Sequence, residues 1–80
     1  MRRRKQEIGT RNLIGKKIES LRKAAGMRQK ELLAQLQVRG VSINASALSK
    51  LEGQFRAVSD FELVALADIF DVTVDELLKV

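Results

Sequence analysis

The sequence has no cysteine, histidine, proline, tryptophan or tyrosine among its 80 residues. Without cysteine the chain can form no disulfide, no thiolate metal site and no cysteine nucleophile. Without histidine it lacks the commonest metal ligand and the usual general base near neutral pH. Its five glycines are scattered singly, so there is no glycine-rich phosphate loop. These absences argue against an enzyme, and we expect no metal and no cofactor.

Aromatic residues are scarce, since three phenylalanines are the only ones. The sequence therefore carries few strand signals, and without proline it has no residue that must interrupt a helix. The longest apolar run, LVALA, is far shorter than the roughly 20 residues that a bilayer span needs. Polar residues follow the basic start, MRRRK, where a signal peptide would have an apolar segment. We therefore expect a cytoplasmic protein with no membrane partner.

Charge is present in quantity and is unevenly distributed. Residues 1–56 hold 14 of the 15 Lys and Arg against four acids, a net charge of +10. Residues 57–80 hold one lysine against six acids, a net charge of −5. This division is typical of a basic face for a polyanion and an acidic end that points away from it. Small proteins also acquire uneven charge by chance, so the distribution alone identifies no partner.

Apolar residues at helical spacing predict five helices and no strand. The first helix is predicted over residues 13–25, after a cap at Asn12 and before a left-handed turn at Gly26. The other four are predicted over residues 29–37, 45–52, 60–70 and 74–79. Residues 1–11 show no such periodicity and contain the basic run RRRK. We expect residues 1–11 to be a flexible basic arm and residues 12–80 to fold as one compact all-α domain.

Capping residues support the helix starts. Asn44 stands where it can cap the third helix. The last two helices open on capping boxes, formed by Ser59 with Glu62 and by Thr73 with Glu76. The fourth helix is expected to bury Leu63, Leu66, Ala67 and Phe70.

The third predicted helix, in the stretch SINASALSKLEG, is unusual in its outward positions. Two leucines at helical spacing face the core, while the outward positions hold Ala45, Ser46, Ser49 and Lys50. With the preceding helix it forms a helix-turn-helix arrangement, in which the second helix lies in the DNA major groove. Small polar side chains let a backbone approach base edges closely, whereas acids would be repelled by phosphates. A helix packed against another protein would have use for small residues too, so that interpretation stays open.

Several blocks in the correct order carry a resemblance. IGKKIESLRKAAGMRQKELLAQL, INASALSKLEG, VSDFELVALADIF and DVTVDELL follow one another over about residues 13–78. Together they resemble the Cro/phage-repressor (Xre-like) helix-turn-helix family. The resemblance implies a compact five-helix DNA-binding domain, usually acting as a dimeric transcriptional regulator.

The resemblance also implies roles for individual residues. Direct base contacts are expected from the outward residues of the third helix, namely Ala45, Ser46, Ser49 and Lys50. Contacts to the DNA backbone are expected from Arg28, Gln29, Lys30, Arg39, Asn44 and Arg56. In families with this fold two positions often pair, and on that ground we expect a partly buried ion pair between Arg22 and Glu52.

The sequence departs from the family pattern in three places. Arg28 stands where a Ser or Thr cap is usual, and LEGQ replaces the more usual Glu-Asn-Gly order. The turn between the second and third helices is about five residues longer than the commonest spacing, the excess lying in QVRGVSI. We expect an ordered turn, with the second helix extended past Leu36 and Val41 or Ile43 tucked under the third helix. Gly40 would adopt positive φ and Arg39 would project outward near the DNA backbone. A mobile spacer is the alternative.

The function expected from these features is sequence-specific binding of double-stranded DNA by a transcriptional regulator. We expect a repressor that binds a pseudo-palindromic operator as a homodimer. The alternative is a protein-interaction module on the same fold, such as an antitoxin-like or adaptor domain. The acidic C-terminal end carries apolar residues that could serve dimerisation or a protein partner, namely Phe70, Val74, Leu77, Leu78 and Val80.

Overall fold

Five helices run through residues 11–79, the part of the chain that the computed structural model describes. They are α1 (Gly15–Ala24), α2 (Gln29–Val38), α3 (Ala45–Glu52), α4 (Asp60–Ile69) and α5 (Val74–Leu78). Between Arg11 and Lys79 there is no strand, so the all-α prediction is confirmed. The predicted arm lies outside the described residues except for Arg11. None of the helices within 11–79 is long and apolar enough to cross a membrane.

The first helix begins two residues later than predicted. Asn12 Oδ1 accepts hydrogen bonds from the N–H groups of Ile14 and Gly15, at 3.1 and 2.7 Å. Asn12 therefore caps the first amides of this segment as expected. A turn at Leu13 and Ile14 lies between Asn12 and Gly15, the first residue of α1. Leu13 stays mostly exposed in that turn. α3 has the predicted bounds, while α4 and α5 each end one residue earlier than predicted.

Most helix starts have the predicted caps. Asn44 Oδ1 accepts from the Ala47 N–H at 2.8 Å, and both predicted capping boxes are formed. At the start of α2 only half of a box exists, because a guanidinium has no acceptor atom. There the Glu31 carboxylate accepts from the Arg28 N–H at 2.7 Å.

The first four helices all end in the same hydrogen-bonded motif. The residue after each C-cap has positive φ, and the N–H of the following residue bonds back to the third-last helical carbonyl. Glycine occupies this left-handed position after α1 and α2, at Gly26 and Gly40. After α3 and α4 the position is held by Gln54 and Asp71, with φ of 66° and 55°. The residue that follows is apolar each time: Met27, Val41, Phe55 and Val72.

The core draws on all five helices. Its buried members are Ile14, Ile18, Leu32, Leu36, Leu48, Leu51, Ala65, Leu66, Ala67 and Leu77. Leu63 and Phe70, which were expected to be buried, are only partly buried because they pack at the edge of this cluster. The start of α1 crosses the end of α3 closely, and a Cβ at Gly15 would overlap the carbonyl oxygens of Leu51 and Glu52.

The long turn between α2 and α3 is built into the fold. α2 continues to Val38, and Gly40 has φ of 84°, as predicted for an ordered reversal. Val41 and Ile43 are both half-buried against the core. Arg39 does not project outward as predicted, because its guanidinium lies back on α4. Its Nε is 2.7 Å from Asp68 Oδ2, and its Nη1 donates to Gln35.

Candidate nucleic-acid interface

The two sides of α3 differ sharply in exposure. Its inward residues Leu48, Leu51 and Glu52 are buried. The side chains expected to contact bases are all exposed, and they form the outer face of α3: Ala45, Ser46, Ser49 and Lys50. The Asn44 cap fixes the start of the helix at the end that would enter a groove first. The outer face is therefore a narrow, small-residue ridge with one long cation.

A buried ion pair fixes the other end of α3. Arg22 Nε lies 2.7 Å from Glu52 Oε2, and Arg22 Nη2 lies 3.1 Å from Glu52 Oε1. Arg22 also donates from Nη1 to the Met27 carbonyl at 2.9 Å, which joins the pair to the turn after α1. The hydrogen bond to Glu52 raises the pKa of Arg22 above its ordinary value. The two residues that were expected to pair thus join α1 to α3 in a forked, charge-assisted contact.

Gln29, the first residue of α2, extends this network to the outer face of α3. Its Nε2 donates to Glu52 Oε1 at 3.0 Å. Its Oε1 accepts from the Ser49 hydroxyl at 3.3 Å. The exposed cations Arg28 and Lys30 flank Gln29 at the start of α2. A helix N-terminus with flanking cations favours an anion, so this corner suits a phosphate.

Arg56 has a different environment from the one that the sequence indicated. Its guanidinium donates to both carboxylate oxygens of Glu62, at 2.8 and 3.1 Å, and to the Ala47 carbonyl at 3.0 Å. Burial by itself raises the pKa of Glu62, but the hydrogen bonds from Arg56 and Ser59 outweigh it, and the pKa is lowered overall. Arg56 and Arg39, both expected at the DNA backbone, are therefore each bound to a carboxylate of α4.

Two polar residues near the interface, Asn12 and Gln54, make contacts that the sequence did not indicate. Asn12 Nδ2 donates to the carbonyls of Leu51 and Arg56, at 3.0 and 2.8 Å. Gln54 Nε2 donates to the Asn12 carbonyl, and the Arg11 N–H donates to the Gln54 carbonyl, each at 3.0 Å. Arg11, which was assigned to the arm, is thus part of the folded domain. No sequence pattern indicates these contacts, since they join positions about 40 residues apart.

The C-terminal end offers less apolar surface than expected. Leu77 is buried, and Phe70 and Val74 are half-buried. Of the apolar residues named for this end, Leu78 is the one within residues 70–79 that is exposed. Lys17 Nζ covers the end of α5 by donating to the carbonyls of Glu76 and Lys79, at 2.8 and 2.7 Å.

Apolar side chains are more exposed elsewhere, on α4 and the end of α2. Phe61 and Val38 are each 80% exposed, and Val64 is 61% exposed. Phe61 and Val64, which lie one turn apart on α4, are called the exposed apolar patch below. Phe61 and Val64 line a groove whose rim carries Arg39, Asp60 and Asp68. Across residues 11–79, no three acidic side chains come together in a way that could hold a metal ion.

The comparison with known families agrees with this arrangement. The sequence profile of the Cro/C1-type HTH DNA-binding domain matches residues 17–80, which cover most of α1 and all of the later helices. No curated protein and no solved structure matches the chain significantly. The matched range includes the outer face of α3 and both members of the buried ion pair, while Asn12 and Gly15 precede it.

Proposed function

The chain belongs to the family of Cro/C1-type HTH DNA-binding domains, and from that premise we propose that it is a sequence-specific regulator of transcription. In this proposal α3 enters the major groove of double-stranded DNA. The main observation in its support is the contrast between two parts of α3. Its outer face is exposed and consists mostly of small side chains, whereas its last residue, Glu52, is held by the buried ion pair with Arg22. A rigidly held helix with a narrow ridge suits a groove about 12 Å wide. We place base contacts at Ser46, Ser49 and Lys50, with Ala45 against a thymine methyl.

Contacts to phosphates are proposed at the corner where α2 begins. Arg28 and Lys30 are exposed there, and only one of the two N–H groups of Gln29 Nε2 has a partner among residues 11–79. The second N–H suits a phosphate oxygen, as do the amides of the first turn. Asn44 is proposed beside a phosphate at the start of α3. Arg39 and Arg56 contribute less than their charge suggests, because each already binds a carboxylate.

We propose further that the protein acts as a homodimeric repressor on a pseudo-palindromic operator. Half-sites would then lie about 34–36 Å apart, one helical turn of DNA. The exposed apolar patch supports a second copy as the partner. Phe61 lies at the edge of the groove without filling it, so the groove has room for an apolar side chain of the second copy. Residues of both signs line that groove, namely Asp60 and the Arg39–Asp68 pair, and such a surface is compatible with a two-fold interface. Binding DNA would place the protein in the cytoplasm.

The salt dependence of DNA binding tests this proposal. About six phosphates neutralised per dimer predict a log–log slope of about −5. The double substitution Arg28→Ala/Lys30→Ala removes up to four contacts per dimer and should make the slope shallower by about 3–4. Lys79→Ala, at the acidic end, is the matched control and should leave the slope unchanged.

The same measurement separates DNA binding from a pure protein-interaction module. A pure protein-interaction module, such as an adaptor whose main partner is another protein, would show little affinity for random duplex DNA. Tight DNA binding with a slope near zero would contradict the proposed contacts. Sedimentation of Phe61→Ser against the wild type tests the dimer separately, since the substitution should favour the monomer and leave the fold intact.

A further inference from the structure

The orientation of the Gln29 amide follows from its neighbours. The carboxylate of Glu52 accepts from Arg22 on both of its oxygens, and a carboxylate has no hydrogen to donate. The atom of Gln29 that lies 3.0 Å from Glu52 Oε1 must therefore be the amide nitrogen. The amide oxygen of Gln29 is then directed to the other side, where Ser49 lies.

This orientation fixes the hydrogen of the Ser49 hydroxyl. Ser49 Oγ and Gln29 Oε1 are 3.3 Å apart, and a hydrogen bond between two oxygens needs a hydrogen from one of them. An amide oxygen carries none, so the hydroxyl of Ser49 donates. A serine hydroxyl has one hydrogen and two lone pairs. What Ser49 can still offer to a ligand is therefore an acceptor.

We propose that Ser49 reads the major groove as a hydrogen-bond acceptor and selects a base pair by its exocyclic amino group. This inference rests on the proposed entry of α3 into the groove. Each base pair shows one amino donor there, either adenine N6 or cytosine N4. Ser49 is exposed on the outer face of α3, beside Lys50. Lys50 can only donate. The two adjacent side chains would therefore recognise opposite kinds of group: Lys50 an acceptor such as guanine O6 or N7, and Ser49 the hydrogen-bond donor of an amino group.

The buried ion pair thereby has a part in specificity. Arg22 orients Glu52, Glu52 orients the amide of Gln29, and the amide oxygen of Gln29 accepts the hydrogen bond that the Ser49 hydroxyl donates. Gln29 is a positioning residue for this readout, since it acts on the base through Ser49. Ser46 lies on the same outer face, and its hydroxyl has no hydrogen-bond partner among residues 11–79, so it provides a matched comparison.

The test begins with selection of bound sequences from a random duplex library by the wild type and by Ser49→Ala. The base pair at which Ser49→Ala loses preference marks the position that Ser49 reads. Duplexes are then made in which that pair lacks its amino group, with purine in place of adenine or 2-pyrimidinone in place of cytosine. Loss of the amino group removes one hydrogen bond and should weaken wild-type binding by about 2- to 13-fold, while Ser49→Ala binding stays unchanged. Ser46→Ala should remain as sensitive as the wild type.

A second variant tests the polarity itself. Gln29→Leu removes the acceptor for the Ser49 proton, so the hydroxyl can donate as well as accept. A duplex with a carbonyl oxygen in place of the amino group should therefore be discriminated against less by Gln29→Leu than by the wild type. Circular dichroism of Gln29→Leu establishes that the helices are retained. The inference is overturned if Ser49→Ala relaxes no position, or if it stays as sensitive to amino-group loss as the wild type. A wild type that selects no sequence would instead overturn the proposed function, and this inference with it.

Discussion

Gln29 Nε2 donates to Glu52 Oε1 across 3.0 Å, so the first residue of α2 is joined to the last residue of α3. The same carboxylate receives Arg22 from α1 on both oxygens. Three helices therefore meet on one buried negative charge. Because this charge is compensated by contacts from two other helices, the position of α3 depends on polar contacts as well as on its leucines.

Removing either member of the buried pair should destabilise the domain strongly. Arg22→Met or Glu52→Leu leaves the charge of the remaining partner uncompensated inside, and we expect a loss of about 3–5 kcal/mol in the free energy of unfolding. Urea denaturation measures it. The double variant Arg22→Met/Glu52→Leu should recover most of that loss, because it leaves no unpaired charge. The control is Glu19→Gln, which breaks the exposed Lys23–Glu19 pair and should cost less than about 1 kcal/mol. Additive single and double losses would contradict coupling.

The bounds and caps of α3 could be predicted from the sequence because they depend on neighbouring residues. Asn44 caps the helix through a contact three residues away, and two leucines at helical spacing define the buried side. The environments of Arg39 and Arg56 could not be predicted this way. Their carboxylate partners, Asp68 and Glu62, lie on α4 and come close only when the chain has folded.

The close packing at Gly15 could not be predicted from the sequence for the same reason. A glycine at the start of a helix indicates nothing by itself, and only the crossing of α1 over α3 shows that a side chain has no room there. The polar contacts of Asn12 with Leu51, near the end of α3, and with Arg56, in the loop that follows, join residues 39 and 44 positions apart. Local patterns thus predict helices, caps and the exposed ridge, whereas partners across helices need the fold.

The stability of the domain should fall in acid through Glu62. Its folded-state pKa is lowered, because contacts with Arg56 and Ser59 outweigh the effect of burial. A lowered folded pKa stabilises the fold above the unfolded glutamate pKa of about 4.3, and that contribution is lost as pH falls from there through the lower folded value. Glu62→Gln should cost about 1–3 kcal/mol at pH 7. Denaturation from pH 7 to 2 should show this difference shrinking only in acid; a difference that is constant with pH would contradict the assignment.

Two glycines should respond to alanine for different reasons. Gly40 has φ of 84° and open space around it, so Gly40→Ala meets only backbone strain and should cost about 1–2 kcal/mol. Gly15 lies against the backbone of α3, so Gly15→Ala must push α1 and α3 apart and should cost about 3 kcal/mol. Thermal unfolding ranks the two. Gly26→Ala, with φ of 68° and open space, is the control and should match Gly40→Ala. Equal losses at all three positions would argue against the close crossing.

The ordered turn between α2 and α3 is tested at Ile43. Because Ile43 is half-buried against the core, Ile43→Ser should cost about 1–2 kcal/mol, less than for a fully buried isoleucine. Val38→Ser is the matched control at a position 80% exposed, and its effect should stay within about 0.5 kcal/mol. Chemical denaturation compares them. If both substitutions leave the midpoint unchanged, the turn does not pack on the core.

Lys50 and Lys30 should affect DNA binding in different ways, because one is placed at a base and the other at a phosphate. Lys50 is exposed on the outer face of α3, while Lys30 is exposed beside the start of α2. Lys50→Ala should cost about 1–3 kcal/mol on duplexes with the preferred base pair at one position and relax the preference there. Lys30→Ala should weaken binding to all duplexes about equally and make the salt slope shallower by about 2 per dimer. Competition binding against a set of single-position variants measures both. If Lys50→Ala weakens every duplex by the same factor, Lys50 contacts phosphate, and the base preference at that position belongs to another residue of the outer face of α3.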